Sequence, residues 1–153
     1  MSDWGSTNRV PALVALSEGV VIEGELHLLT RPAYPPGPET PLEMLNRIDP
    51  FFALTLPGGE VTFVAKAQVA VVDCRVPPAL DDPDRLSAAK LVGLEVVLDG
   101  GAEYRGRATV ELPPGRARAL DYVNAPGRFF TLFADDTTHY FNKSRVRFIR
   151  PLD

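Results

Sequence analysis

The sequence predicts an all-β protein with short helical turns, built from tandem duplicated small β-barrels of about five strands each that pack pseudo-symmetrically. The 153 residues include 15 prolines and 12 glycines, which in a chain rich in Val, Leu and Phe is typical of short strands separated by turns. Several segments alternate apolar and polar residues with a period of two. A sequence motif also recurs in the two halves, so duplication is the main signal.

The repeated motif surrounds a pair of phenylalanines. Residues Leu42–Asn46 and then Phe51–Phe52 reappear 78 positions later as Leu120–Asn124 and then Phe129–Phe130. The flanking segments match too, glycines upstream at a spacing of 82 and lysines downstream at a spacing of 77. We therefore divide the chain into a first β repeat at 10–77, a solvated linker at 78–90 and a second β repeat at 91–151.

Each repeat is expected to contain five strands and one helical turn. The alternation predicts strands at 12–16, 20–29, 51–56, 61–65 and 68–73. The helical turn at 42–46 has Thr40 as its N-cap and Pro41 at its first position. Gly24, on the apolar face of its strand, marks a bulge or sharp bend. In the second repeat the five strands are predicted at 95–98, 103–112, 129–134, 138–141 and 145–149, and the helical turn at 117–123.

The two phenylalanine pairs are the leading core candidates. Neighbouring residues on a strand point to opposite faces, so one Phe of each pair must face something other than the interior of its own barrel. That residue marks either the contact between the repeats or an oligomer surface. A repeat of about 60 residues is only marginally stable alone, so the two repeats are expected to share a core or a large interface.

Composition and charge narrow the functional classes. Apolar residues make up 45% of the chain, which excludes disorder as its main state, and a formal charge of −4 is not that of a nucleic-acid binder as a whole. The polar N-terminal residues and the lack of an apolar run of about 18 residues lead us to expect a cytoplasmic protein with no membrane contact. Cys74, the only cysteine, is expected to be a buried hydrophobe.

The order of elements and two short motifs resemble the Sm-like small β-barrel family. Asp121–Asn124 is similar to that family's Asp-x-Met-Asn loop, with Glu43–Asn46 as its counterpart in the first repeat. Lys143 and Lys66 stand where the family has its basic turn. The resemblance implies a ring-forming protein that binds RNA, and it implies base-binding roles for Asn46, Lys66, Asn124 and Lys143.

Charge reversal at matched positions suggests a docking surface. Glu23 and Glu25 form an acidic strand face in the first repeat, and Arg105 and Arg107 occupy the matched positions in the second. An acidic strand of one repeat or subunit could dock on a basic strand of another, or both faces could be independent solvated surfaces. The further arginines Arg145 and Arg147 extend a basic patch for anions, an acidic protein partner or single-stranded nucleic acid.

Catalytic motifs are absent from the sequence. His27 follows Glu23 and Glu25 on one strand face, but a solvated face explains this spacing better than a metal site. His139 falls in a hairpin and is expected to be exposed. We find no nucleophile, base and orienting group in a recognisable set and expect neither cofactor nor metal. The sequence thus favours a non-enzymatic protein-interaction or assembly module that binds a protein partner or itself, with an Sm-like single-stranded nucleic-acid binder as the alternative.

Overall fold

Ten antiparallel strands form a single sheet in the computed structural model, which describes residues 8–31, 37–75, 90–110 and 118–152. The strands of the first repeat are β1 (Asn8–Leu16), β2 (Val21–Leu28), β3 (Thr30–Arg31), β4 (Gly37–Pro38), β5 (Phe51–Thr55), β6 (Val61–Ala65) and β7 (Val69–Arg75). Those of the second are β8 (Lys90–Leu98), β9 (Glu103–Val110), β10 (Phe129–Ala134), β11 (Thr137–Asn142) and β12 (Val146–Pro151). The short strands β3 and β4 pair separately.

The two repeats have the same strand order. The sheet runs β12-β8-β9-β10-β11-β7-β1-β2-β5-β6, so that the last strand of each repeat comes first in its own half of the sheet. The pairing registers also agree. Leu13 lies opposite Asp73 in the first repeat, and Glu95, 82 positions after Leu13, lies opposite Arg150, 77 positions after Asp73. The duplication seen in the sequence is thus present in the backbone pairing.

The all-β prediction is confirmed, whereas two separate closed barrels are not seen. The sheet is open and continuous because β7 of the first repeat pairs with β11 of the second. The predicted linker lies outside the described residues apart from Lys90, which begins β8. The Pro-rich segment that precedes the first helical turn also lies largely outside them.

Two hydrophobic clusters form the core, and each uses side chains from both repeats. Phe129 and Tyr140 of the second repeat pack into the cluster of the first, and Ala70 and Val71 of the first repeat pack into the cluster of the second. Cys74 is buried, as expected. This exchange fits the expectation that neither repeat is self-sufficient.

Helical turns precede the third large strand of each repeat. The turn α1 (Pro41–Asn46) begins with a capping box, in which Thr40 accepts from the N–H of Glu43 and the Glu43 carboxylate accepts from the N–H of Thr40. Its counterpart α2 (Ala119–Val123) begins after Arg118. The predicted helical turns are therefore present in both repeats.

Candidate functional site: the junction between the repeats and the two sheet edges

The junction between the repeats consists of β7 and β11, which pair from Val71 to Arg75. Asp73 lies opposite His139, and Nδ1 of His139 is 2.5 Å from Oδ1 of Asp73. An N–H on that nitrogen donates to the carboxylate and fixes the orientation of the imidazole. Tyr104 packs edge-on against the same ring, with 5.0 Å between centroids. His139 is only 9% exposed, so the expectation of an exposed histidine is wrong.

Two side-chain amides fasten one repeat to the main chain of the other. Asn46, the last residue of α1, accepts from the N–H of Phe129 at 2.7 Å and donates to its carbonyl at 3.3 Å. In the opposite direction, the buried Asn142 donates to the carbonyls of Lys66 at 3.0 Å and Val69 at 2.9 Å. These bonds satisfy main-chain groups that strand pairing leaves over at the junction.

The outer strands of the sheet, β6 and β12, are the repeat counterparts of the strands that form this junction. Within the described ranges, the sheet ends at both of them, and no strand pairs with the outer edge of either. Exposed phenylalanines lie at these edges. Phe63 of β6 is 66% exposed and Phe148 of β12 is 39% exposed, as is Phe51 of the neighbouring β5 at 56%.

The counterparts of these exposed residues are buried at the junction. Tyr140, which matches Phe63, is 1% exposed, and Phe129, which matches Phe51, is 2% exposed. Val71, which matches Phe148, is completely buried. Equivalent positions of the two repeats are therefore buried at the β7–β11 junction and exposed at the outer edges of the sheet.

Lys66 and Lys143 have structural roles. Lys66 is 1% exposed, and its ammonium donates to the carbonyls of Met44 at 3.0 Å and Arg47 at 2.9 Å. Lys143 likewise donates to the carbonyl of Ala125. Burial lowers the pKa of both lysines. For the buried Lys66 this corrects the base-binding role that the Sm-like resemblance implied, because its ammonium is enclosed by main-chain carbonyls. For the half-buried Lys143 that role stays a prediction.

The two asparagines named by the same resemblance differ from each other. Asn46 binds the main chain of Phe129, as described above, and is not available as a base-binding group. Asn124 is the exposed C-cap of α2, and its side chain makes no hydrogen bond with any described residue. The difference follows from position, since only Asn46 faces a second repeat within the chain.

The acidic and basic strand faces lie at equivalent places but do not meet. Glu23 and Glu25 lie on β2, and Arg105 and Arg107 lie on β9, with four strands between them in the sheet. Glu25 forms an exposed ion pair with Arg9 at 3.7 Å. Docking of the acidic face on the basic face would therefore need two chains, and it stays a prediction.

Arg145 and Arg147 bind groups within the chain. Nε of Arg145 donates to the carbonyl of Ala67 at 3.0 Å, and its guanidinium lies 3.6 Å from the carboxylate of Asp99. Arg147 donates to the carbonyl of Asp99 at 2.5 Å. The contacts with Asp99 hold the β8–β9 turn, and the anion-binding patch of Arg105, Arg107, Arg145 and Arg147 stays a prediction.

His27 is buried, which corrects its predicted place on a solvated face. It is 5% exposed, and its Nε2 lies 2.5 Å from Oγ1 of Thr55 on the neighbouring strand. A hydrogen bond of this kind offsets the cost of burying the imidazole. His27 is thus a core residue on the same strand as the exposed Glu23 and the half-buried Glu25.

A buried carboxylate lies between two arginines near the β12 edge. The side chain of Glu95, 5% exposed, accepts from Arg150 at 2.7 Å and from Arg105 at 2.9 Å. These two hydrogen bonds, that from Arg150 first, lower the pKa of Glu95 below its ordinary value of 4.5. Glu95 therefore stays ionised and joins the three strands β9, β8 and β12.

Replacement of Glu95 by glutamine is expected to lower stability at neutral pH and to flatten the acid dependence of unfolding. Because the pKa of Glu95 is lower in the folded chain, its contribution is fully present above about pH 4.5 and is lost as the pH falls through the folded value. Urea unfolding at pH 7 and pH 3 measures this. Glu103→Gln, at an exposed position of β9, is the matched control and should leave the pH dependence unchanged.

Two cavities occupy matching places in the two repeats. The larger, about 830 Å³, lies beside the junction and has the size of a small-ligand site. Its lining includes Arg9, Leu13, Glu25, Asp73, Thr137 and His139. The second, about 770 Å³, is lined by Leu91, Arg107 and Leu152, which are the repeat counterparts of Arg9, Glu25 and Arg75. Among the described residues, none from a neighbouring repeat takes the place of Thr137 and His139 in the second cavity.

The pair Asp73–His139 and the buried Glu95 were not found by sequence reasoning. Asp73 and His139 are 66 positions apart, so only knowledge of the β7–β11 pairing connects them. For Glu95 the sequence did contain a signal. Glu95 stands 82 positions after Leu13, so the repeat places an acid where the first repeat has a leucine, and this acid lies opposite Arg105.

Within the described ranges, the chain has neither a metal-binding cluster nor a membrane-spanning helix. In the described ranges, no three His, Cys, Asp or Glu side chains are grouped to hold a metal ion. The helices in those ranges are too short to cross a membrane. Known protein families, curated proteins and solved structures give no match to the chain.

Proposed function

We propose that this protein is an assembly module that associates with further copies of itself edge to edge. The observation that carries this proposal is the junction between the repeats, because it is a strand pairing whose two counterpart strands form the outer edges of the same sheet. In the assembly, β6 of one copy pairs antiparallel with β12 of the next.

The register of this pairing follows from the internal junction. Tyr140 lies opposite Val72 within the chain, so Phe63 of one copy lies opposite Ile149 of the next. Phe141 lies opposite Val71, so Val64 lies opposite Phe148. The edges are thus complementary to each other, and the contact is head-to-tail. Such a contact gives a ring when the rotation closes and a filament when it does not.

The residues at the edges supply a driving force. Complete burial of a fully exposed phenylalanine contributes about 1.5–3 kcal/mol. Phe51, Phe63 and Phe148 are already partly covered, so each contributes a fraction of this if it follows its counterpart. The strand β6 has the sequence Val-Thr-Phe-Val-Ala, without the charge or proline by which edge strands usually avoid pairing. This composition fits a strand that pairs with a partner. The other edge, β12, carries Arg147, Arg150 and Pro151, so only β6 supports the pairing by its composition.

Sedimentation velocity over a range of protein concentrations tests the proposal. The wild-type chain is expected to sediment as an assembly larger than one chain, and Phe63→Lys is expected to return it to the monomer with an unchanged circular dichroism spectrum. Val21→Lys is the matched control, because Val21 is 57% exposed but lies in β2, between β1 and β5. A wild-type monomer at every concentration, or a Phe63→Lys variant that assembles normally, overturns the proposal.

A further inference from the structure

The internal junction is held by a hydrogen-bonded side-chain pair on one face of the sheet. Asp73 of β7 lies directly opposite His139 of β11, and their side chains meet at 2.5 Å. Thr137, two residues before His139, points to the same face and is a diagonal neighbour of Asp73. These three positions have counterparts on the outer edges of the sheet.

The counterparts carry a different charge pattern. Arg150 stands at the position of Asp73, Thr62 at that of His139, and Glu60 at that of Thr137. When β6 of one copy pairs with β12 of the next in the junction register, Thr62 lies opposite Arg150 and Glu60 becomes its diagonal neighbour. Diagonal Cβ atoms on one face are about 7–8 Å apart, which an arginine and a glutamate can span.

Both side chains have capacity for this contact. The carboxylate of Glu60 is exposed and forms no ion pair with the described residues. The Arg150 side chain is 60% exposed, and one of its nitrogens binds Glu95 at 2.7 Å. A guanidinium has five N–H donors, so Arg150 can bind a second carboxylate on its outer side.

The second cavity supports the same arrangement. The cavity beside the internal junction has Thr137 and His139 of the neighbouring repeat in its wall. The matching cavity, beside β12, lacks that part of the wall within the described residues. Glu60 and Thr62 of the next copy occupy the missing positions when the register is transferred.

We infer that Glu60 of one copy forms an ion pair with Arg150 of the next, an inference that rests on the edge-to-edge assembly proposed above. The pair extends the cluster of Arg105, Glu95 and Arg150 to a row of alternating charges that ends on the second copy. It makes head-to-tail association sensitive to salt, and it favours the β6–β12 contact over pairing of two like edges.

A charge reversal tests the pair. Glu60→Arg and Arg150→Glu are each expected to weaken self-association about tenfold, because each places like charges together across the contact. An equimolar mixture of the two variants is expected to associate more tightly than either variant alone, since every contact between unlike chains then joins opposite charges. Glu18→Arg, in the exposed β1–β2 turn, is the control and leaves association unchanged.

The outcomes separate this pair from the assembly itself. Wild-type chains that remain monomeric overturn the proposed function and the pair with it. Wild-type chains that assemble while both single variants associate normally, or a mixture no better than either variant alone, overturn the pair only. Arg150→Glu also disturbs Glu95, so Glu60→Arg is measured separately, and added salt should relieve its loss of association.

Discussion

Replacement of Gly106 by alanine is expected to destabilise the fold by about 3 kcal/mol, the upper end of the usual cost of overpacking. β9 crosses β10 so closely here that a Cβ atom on Gly106 would overlap the carbonyl oxygen of Phe133 and lie 2.9 Å from Cγ of Leu132. Main-chain atoms of a central strand cannot move aside without breaking their own pairing. Urea unfolding measures the loss.

The control for this experiment is Gly58→Ala, in the turn between β5 and β6. A Cβ atom there has no heavy atom within 4 Å, and the residue has no positive φ. The free energy of unfolding of Gly58→Ala should therefore match that of the wild type. Equal unfolding midpoints for both variants would contradict the close approach of β9 to β10.

The same close approach occurs in the first repeat, and its signal was present in the sequence. A Cβ atom on Gly24 would lie 2.7 Å from both Cγ of Leu54 and the carbonyl oxygen of Thr55. The sequence predicted a bulge or sharp bend at Gly24, whereas the pairing of β1 with β2 continues through it without a register shift, and the glycine instead allows the close approach of β5. The strands, the capping box of α1 and the burial of Cys74 were predictable, because each depends on residues close together in the sequence.

The arrangement of the sheet was not predictable in this way. Whether β7 completes a barrel within its own repeat or pairs with β11 depends on contacts between distant residues such as Asp73 and His139. Lys66 was misread because a lysine is almost never fully buried unless carbonyls or acids receive its charge, and the carbonyls of Met44 and Arg47 come from a separate element.

The candidate surface was predictable in part. Alternation along a strand implied that one phenylalanine of each pair faces away from its own interior. Phe129 indeed packs into the cluster of the other repeat, and Phe51 occupies the same position at an exposed edge. The sequence could not decide between a contact within the chain and a contact between chains, because the two repeats carry the same residue in both situations.

Alanine variants of two asparagines, Asn46 and Asn124, distinguish a contact within the chain from a contact between chains. Asn46→Ala is expected to lower the free energy of unfolding by about 1–3 kcal/mol, because the main-chain N–H and carbonyl of Phe129 lose their partner. Asn124→Ala removes no hydrogen bond from the described chain and should leave unfolding of the monomer unchanged. In the proposed assembly, we expect Asn124 to take the place of Asn46 and to bind the main chain of Phe51 on the next copy.

Asn124→Ala should therefore weaken self-association while Asn46→Ala weakens the fold. Urea unfolding of dilute monomer and sedimentation of concentrated protein measure the two effects on the same pair of variants. Equal losses of stability in both variants, together with unchanged association of Asn124→Ala, would contradict the equivalence of the internal junction and the outer edges. Opposite losses would mean that one amide contact, duplicated with the repeat, serves folding at one position and assembly at the other.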